Sequence, residues 1–361
     1  MQNRPSKARF PLMALGMLAL LTALWGGLIR LGWVLPLLRP HLPAVHGPLM
    51  VCGFLGTLIG VERAVALGTH WPYAALLLTA VGALALLSGL PAPPFMVLGS
   101  LGLVAVFAVI IGRQCALATV VMALGALLWL VGNGFWLAGW PLYHVVPWWS
   151  GFLVLTIAGE RLELSRMLRL TMPQQLAFLL AVGLFLAGLL CLPASFASGM
   201  QVTGVGMVAL AWWLLRYDMA RRTVRQTGLT RFIAVCLLSG YGWLGVGGML
   251  NWYYGGVLAG PYYDAMLHTV FVGFVFAMIF GHAPIIIPAI LNRTPPYHPA
   301  FYAPLVLLHA SLLLRVVGDL VGWWPGRRWG GLLNAMAVLL FLLTLAYVLS
   351  QGKQATLSAF D

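Results

Sequence analysis

The sequence has 361 residues, of which 62% are hydrophobic and only 7% are charged, and its mean hydropathy is +0.97. Because about a quarter of the residues of an ordinary globular domain are charged, this composition excludes a soluble domain. The basic residues behind the net charge of +13 lie between the apolar segments and do not form one face of a helix or domain. It therefore indicates contact with anionic lipid and no nucleic-acid partner.

The apolar segments predict about twelve transmembrane helices. Runs of about 20 apolar residues are long enough to cross a bilayer, and the connections between them are rich in proline, glycine or charge. The predicted spans are approximately 11–32, 45–67, 71–90, 94–112, 114–139, 144–167, 174–193, 198–216, 229–256, 262–291, 299–322 and 329–350. We therefore predict an all-α integral membrane protein whose single membrane domain covers residues 1–361.

The basic residues are distributed unequally between the two ends of the predicted helices. The side opposite the termini holds Arg30, Arg39, Arg327 and Arg328, whereas most of the other lysines and arginines fall on the side of the termini. Because positively charged connections stay in the cytoplasm, this asymmetry predicts a multi-pass protein with both termini cytoplasmic. The expected location is the bacterial cytoplasmic (inner) membrane.

The second, sixth and tenth predicted helices begin with similar histidine-containing segments. Residues 46–63 read HGPLMVCGFLGTLIGVER, residues 144–161 read HVVPWWSGFLVLTIAGER, and residues 268–282 read HTVFVGFVFAMIFGH. In the first two the histidine precedes a Gly-Phe pair by seven residues, and in the third by five. The repeat predicts three quasi-equivalent four-helix units, approximately 1–112, 113–227 and 228–361.

His46 and His268 are the predicted ligands of a haem. Each begins a helix that runs inward, so both imidazoles are expected near the outer leaflet at similar depth. Two neutral imidazoles at similar depth suit the two axial positions of one haem iron. The alternative is that both are interfacial histidines in contact with lipid headgroups.

Three arginines near the same outer end are the predicted partners of the haem propionates. They are Arg315, on the eleventh helix, and Arg327 and Arg328, in the connection to the twelfth. Guanidinium groups suit carboxylates because they donate two parallel hydrogen bonds. The alternatives are a snorkelling pair at Arg327 and Arg328, and an ion pair between Arg315 and Asp319 four residues later.

The remaining histidines offer further candidate metal ligands. His144 begins the middle segment and either binds a second metal or haem or is a remnant of the repeat. His282 lies 14 residues beyond His268, roughly 21 Å deeper, and cannot bind the same iron. His309 is predicted near mid-membrane. An inner proton route or second metal site would combine His282 and His309 with Glu62, Glu160 and His298; the alternative is a set of separate helix caps and hydrogen bonds.

The arrangement resembles the catalytic subunit of the haem–copper oxidases. Residues 46–50 read HGPLM and resemble that family's HGxxM motif, whose histidine binds low-spin haem; the segment from His268 resembles the one that carries the opposite ligand. Residues 325–328, PGRR, resemble the family's propionate-binding arginine pair. The seventh helix has no histidine, and Met266 precedes His268 where a copper ligand is expected. The usual binuclear centre, and with it dioxygen reduction, is therefore not implied.

A nearer resemblance is to the NnrS-type family, membrane proteins with twelve spans that are associated with nitric oxide stress. Residues 302–320 resemble the closing region of that family, whereas HGPLM departs from its usual HxHE-like motif, which marks this chain as a divergent relative. The resemblance implies haem b, with copper or a second haem as a further cofactor. It also implies electron transfer or nitric oxide handling with a redox partner, namely a quinol, cytochrome c or a peripheral redox subunit.

Two other classes of function compete with this hypothesis. One is a solute transporter whose polar residues line a pathway, and the other is a membrane anchor subunit of a peripheral redox enzyme. The four-helix period, and the lack of paired broken helices in inverted repeats, count against the transporter. A visible spectrum of the purified protein separates the haem protein from both alternatives.

Overall fold

The computed structural model describes residues 9–291 and 297–357, with side chains to residue 351, and this part of the chain contains helices but no strand. The twelve long helices in it are α1 (Arg9–Arg30), α2 (His46–Leu67), α3 (Pro72–Ser88), α4 (Pro93–Arg113), α5 (Leu117–Leu137), α6 (Leu142–Leu168), α7 (Met172–Cys191), α8 (Phe196–Tyr217), α9 (Gly228–Tyr254), α10 (Pro261–Ile290), α11 (Pro299–Leu320) and α12 (Trp324–Leu357). The termini that the sequence places in the cytoplasm, 1–8 and 358–361, lie outside the described residues.

The helices have the length and composition of membrane spans. Within the described ranges, eleven are long and apolar enough to cross a bilayer, and α3 is a shorter apolar helix of 17 residues. The predicted multi-pass α-helical membrane protein is therefore confirmed at this level. The largest difference in bounds is at α12, which runs from Trp324 to Leu357 rather than from about 329 to 350. Arg327 and Arg328 consequently lie in the first turns of a helix and not in the connecting loop that we expected.

The chain divides into two compact units, Met1–Glu163 and Leu164–Asp361, with the boundary inside α6. In the first unit, α4 packs against α3 and α5, and α1 packs against α2 and α3. In the second unit, α8 packs against α7 and α9, α9 and α11 both pack against α10, and α11 pairs with α12. The three four-helix units expected from the sequence stay a prediction.

A pair of facing glycines allows one close helix crossing. Gly204 on α8 and Gly248 on α9 face each other across such a crossing in the second unit. A methyl group added at Gly204 would lie 2.5 Å from the Gly248 carbonyl oxygen, and one added at Gly248 would lie 2.6 Å from that of Gly204. Small residues let backbones approach where lipid offers no hydrophobic driving force, so van der Waals contact holds these helices together.

Both α2 and α10 contain an eight-residue π-helical segment. The segments are Leu49–Gly56 and Thr269–Phe276. The Gly-Phe pair of the repeat occupies the fifth and sixth positions of each, whereas the corresponding pair in α6, Gly151 and Phe152, lies in regular α-helix. Each π segment therefore begins at the same distance before its Gly-Phe pair, whereas the distance from the histidine to the π segment differs between the two helices. Such segments are rare and occur frequently at functional sites.

Candidate functional site

His46 is the first residue of α2, three residues before the π segment, and α1 holds its ring in place. Its Nδ1 lies 2.6 Å from the carbonyl oxygen of Ala23. A carbonyl only accepts, so Nδ1 carries the proton and the lone pair of the neutral ring is on Nε2. A methyl group added at Gly27 would lie 2.8 Å from Cε1 of His46, so the Trp-Gly-Gly sequence of α1 leaves the space that the ring occupies.

His268 has the same tautomer, although a different element fixes it. Its Nδ1 lies 2.9 Å from the backbone oxygen of Asp264, one turn earlier on α10, and 3.5 Å from the Oδ1 of the same residue. The proton is again on Nδ1 and the lone pair on Nε2. Metal-binding histidines commonly donate their second nitrogen to a carbonyl or carboxylate, which fixes the ring and raises its basicity. Both predicted haem ligands have this arrangement.

Asp264 is the centre of an ion-pair network that the sequence analysis missed. Arg315 on α11 donates to both of its carboxylate oxygens, Nε to Oδ2 at 2.8 Å and the terminal nitrogen to Oδ1 at 3.0 Å. Arg327 on α12 reaches Asp264 Oδ1 at 3.5 Å, and its Nε lies 3.0 Å from Oδ1 of Asp319. Two guanidinium groups therefore contact two carboxyl groups, beside an apolar cluster of Ala265, Leu312 and Val316.

This network bears on the three arginines expected to bind propionates. Arg315 pairs with Asp264, 51 residues away, and not with Asp319 on its own helix. Arg327 contacts both carboxylates, and Arg328 is half-buried at the next position of α12. Arg315 and Arg327 therefore already have carboxyl partners within the protein, and these two arginines fix the aspartate that contacts His268.

The glycines of the repeated segments make space for neighbouring side chains. A methyl group added at Gly56 would lie 2.5 Å from the Trp129 ring, and one added at Gly273 would lie 2.5 Å from the Trp243 ring. A methyl group added at Gly53 would lie 3.0 Å from the Cβ of Ala19. Helix packing therefore fills the space beside these three glycines.

The other candidate metal ligands occupy separate environments. His309 accepts a hydrogen bond from Trp243 Nε1 at its Nδ1, at 3.0 Å, so its proton is on Nε2, the opposite tautomer to that of His46. His282 Nδ1 lies 2.7 Å from the Met278 oxygen. His144 packs against the rings of Trp140 and Tyr143, with centroids at 5.4 and 4.6 Å. Within the described residues, no three His, Cys, Asp or Glu side chains form a metal-binding group.

The two Glu-Arg pairs of the repeat meet in the first unit. Arg63 forms ion pairs with Glu62 at 3.1 Å and with Glu160. His298 accepts a hydrogen bond from the backbone of Ala300, which makes it a cap of the first turn of α11. These contacts agree with the alternative that the inner polar groups form helix caps and helix–helix contacts.

A polar cluster around Asn133 was also missed. Its Oδ1 accepts from Trp149 Nε1 at 3.0 Å, and its Nδ2 donates to the Met96 oxygen and to Ser100 Oγ, each at 3.1 Å. The cluster ties α4, α5 and α6 together, and Asn133 is fully buried. A lone asparagine in an apolar helix was the only available signal, because its partners come from other helices.

The family comparison places the chain in one family. The model of a domain of unknown function, DUF8744, matches residues 9–350, and the protein therefore belongs to that family. No curated protein and no solved structure matches the chain. We therefore infer the function from the geometry around the histidines.

Proposed function

We propose that this protein is a haem-b-binding membrane redox protein that transfers electrons or handles nitric oxide. His46 and His268 are its proposed axial ligands. The observation that carries the proposal is their common arrangement: each holds its proton on Nδ1 against a backbone carbonyl, and a π-helical segment follows, three residues after His46 and immediately after His268. Neutral imidazole with its lone pair on Nε2 is the form that binds haem iron.

The residues present fit the axial ligation of haem better than they fit a propionate clamp. Arg315 and Arg327 are paired with Asp264 and Asp319, so we assign them to positioning His268 through Asp264. A bound haem would supply a reversible one-electron couple. The chain's own contribution is to orient both imidazoles with the proton on Nδ1, and to place Asp264 beside the apolar cluster of Ala265, Leu312 and Val316.

The proposal includes an evolutionary relationship and an orientation. We infer a divergent relationship to the NnrS-type family and, more distantly, to the haem–copper oxidase catalytic subunit, with three quasi-equivalent four-helix units. The matching π segments in α2 and α10 support the equivalence of the first and third of these four-helix units. The excess of basic residues on one side supports cytoplasmic termini. We infer in addition that the protein lies in a bacterial inner membrane and has a redox partner there.

The experiment is a visible spectrum of the full chain purified from haem-replete cells. We expect the spectrum of six-coordinate, low-spin haem b, because two imidazoles fill both axial positions. His46→Ala and His268→Ala should each convert the iron to high spin or lose it. His70→Ala is the matched control because His70 is exposed and precedes α3, and it should leave the spectrum unchanged. A wild-type spectrum retained by both alanine variants would refute the ligand assignment.

A further inference from the structure

A cavity of about 470 Å³ lies in the second unit where the connection between α6 and α7 meets the connection between α8 and α9. It is lined by Leu168, Leu170, Gln174, Arg216, Tyr217, Asp218, Arg221, Arg222 and Arg225. Ligand-binding pockets commonly have volumes of a few hundred Å³, so this one has the size of a site for a small molecule or a headgroup. Neither the histidines nor the proposed haem uses it.

The cavity has an excess of positive charge. Four guanidinium groups line it together with one carboxylate, Asp218, which leaves a surplus of three charges among the lining residues. Asp218 is buried, and its Oδ1 accepts the backbone N–H of Ala220 at 2.6 Å. Because the lining holds four guanidinium groups and a single carboxylate, the arginine side of the cavity suits an anion.

The walls of the cavity are fixed by contacts between elements. Trp213 Nε1 on α8 donates to the backbone carbonyl oxygen of Gln174 at 2.8 Å, which ties α8 to the first turn of α7. Gln174 also completes a capping box with Thr171, accepting its N–H at 2.9 Å. The Arg216 guanidinium lies 5.2 Å from the centre of the Tyr217 ring. A site with fixed walls loses less entropy when it binds a ligand.

We propose that this cavity binds the phosphate group of an anionic phospholipid. Arginine forks match the oxygens of a phosphate, and basic pockets between transmembrane helices are suited to anionic headgroups. Leu168 and Leu170 add an apolar side to the cavity, which suits the glycerol and the first acyl carbons of a lipid. The recognised chemistry is a phosphate with an apolar attachment, and the lipid supplies both parts.

The test is native mass spectrometry of the detergent-purified full chain titrated with phosphatidylglycerol, with phosphatidylcholine as the zwitterionic comparison. The variant R221Q/R222Q/R225Q removes three of the lining guanidiniums. The matched control R39Q/R113Q/R231Q removes the same charge from exposed arginines that do not line the cavity. We expect the lining variant to bind phosphatidylglycerol about a hundredfold more weakly, roughly fivefold per arginine. The control variant should bind like the wild type.

Equal weakening in the lining and control variants would show that only total charge matters and would overturn the proposal, as would unchanged binding in the lining variant. A second titration uses inorganic phosphate as competitor. No displacement of phosphatidylglycerol by phosphate supports the lipid as ligand. If inorganic phosphate displaces phosphatidylglycerol from the wild type, and the lining variant loses this effect, the cavity is a phosphate site whose ligand is a soluble molecule and not a lipid. Neither result depends on haem, so this test is separate from that of the proposed function.

Discussion

At the scale of single residues, the two proposed ligands are held by different contacts. The ring of His46 donates to the Ala23 carbonyl on the neighbouring helix α1 and packs against the backbone at Gly27. His268 is held by its own preceding turn and by a carboxylate that two arginines fix. Because a carboxylate near Nδ1 raises the basicity of the imidazole, His268 is expected to be the stronger iron ligand of the two.

The dependence of His46 on Gly27 is testable. Gly27→Ala should displace the ring, since the added methyl group would lie 2.8 Å from Cε1 and 2.9 Å from Nδ1 of His46. We expect a loss of about 1–3 kcal/mol in the free energy of unfolding, measured as a lower Tm, together with an altered haem spectrum. Gly134→Ala on α5 is the control because a methyl group there would have nothing within 4 Å. If Gly134→Ala were as destabilising as Gly27→Ala, the steric explanation would fail.

The Asp264 network should behave as a unit. Asp264→Asn keeps the backbone oxygen that His268 contacts but leaves Arg315 and Arg327 with an uncompensated charge. We expect it to cost about 3 kcal/mol of stability, as is usual when one partner of a buried ion pair is removed. Arg315→Gln should cost a similar amount, and the double variant should cost less than the sum, with a coupling energy of about 1–3 kcal/mol. Thermal unfolding of the four proteins in one detergent measures this cycle, and strictly additive losses would show that the pair is not coupled.

At the scale of helices, packing explains what hydropathy alone does not. The bounds of α1 to α11 could be predicted to within a few residues because the thickness of a bilayer sets the length of an apolar run, whereas those of α12 could not. The π segments could not, because the sequence carries no local signal that separates a π turn from an α turn. The Asp264–Arg315 and Trp243–His309 contacts join residues 51 and 66 positions apart, so only the packing of α9, α10 and α11 reveals them.

The crossing of α8 and α9 provides the test at this scale. Gly204→Ala places a methyl group 2.5 Å from a backbone oxygen that cannot rotate away, so the two helices must separate. We expect the free energy of unfolding to fall by about 1–3 kcal/mol. Gly242→Ala on α9, with nothing within 4 Å of the added methyl group, should be neutral or slightly stabilising. Equal Tm values for the two variants would contradict close packing at this crossing.

At the scale of the whole molecule, a polytopic membrane protein of the DUF8744 family presents two histidines in the same tautomer, each before a π segment. These two histidines could be singled out as candidate ligands from the sequence because the Gly-Phe repeat marks both helices. Asp264, which fixes one of them, could not be singled out because an acidic residue in the first turn of a helix is ordinary.

The haem content of the purified full chain tests the central proposal most directly. The protein is expressed in haem-replete cells, and haem b is measured against protein by the pyridine haemochrome method. We predict about one haem b per chain in the wild type and a large loss in the variant with both His46 and His268 replaced by alanine. A colourless wild-type protein, folded by its thermal transition, would contradict the assignment of this chain as a haem protein.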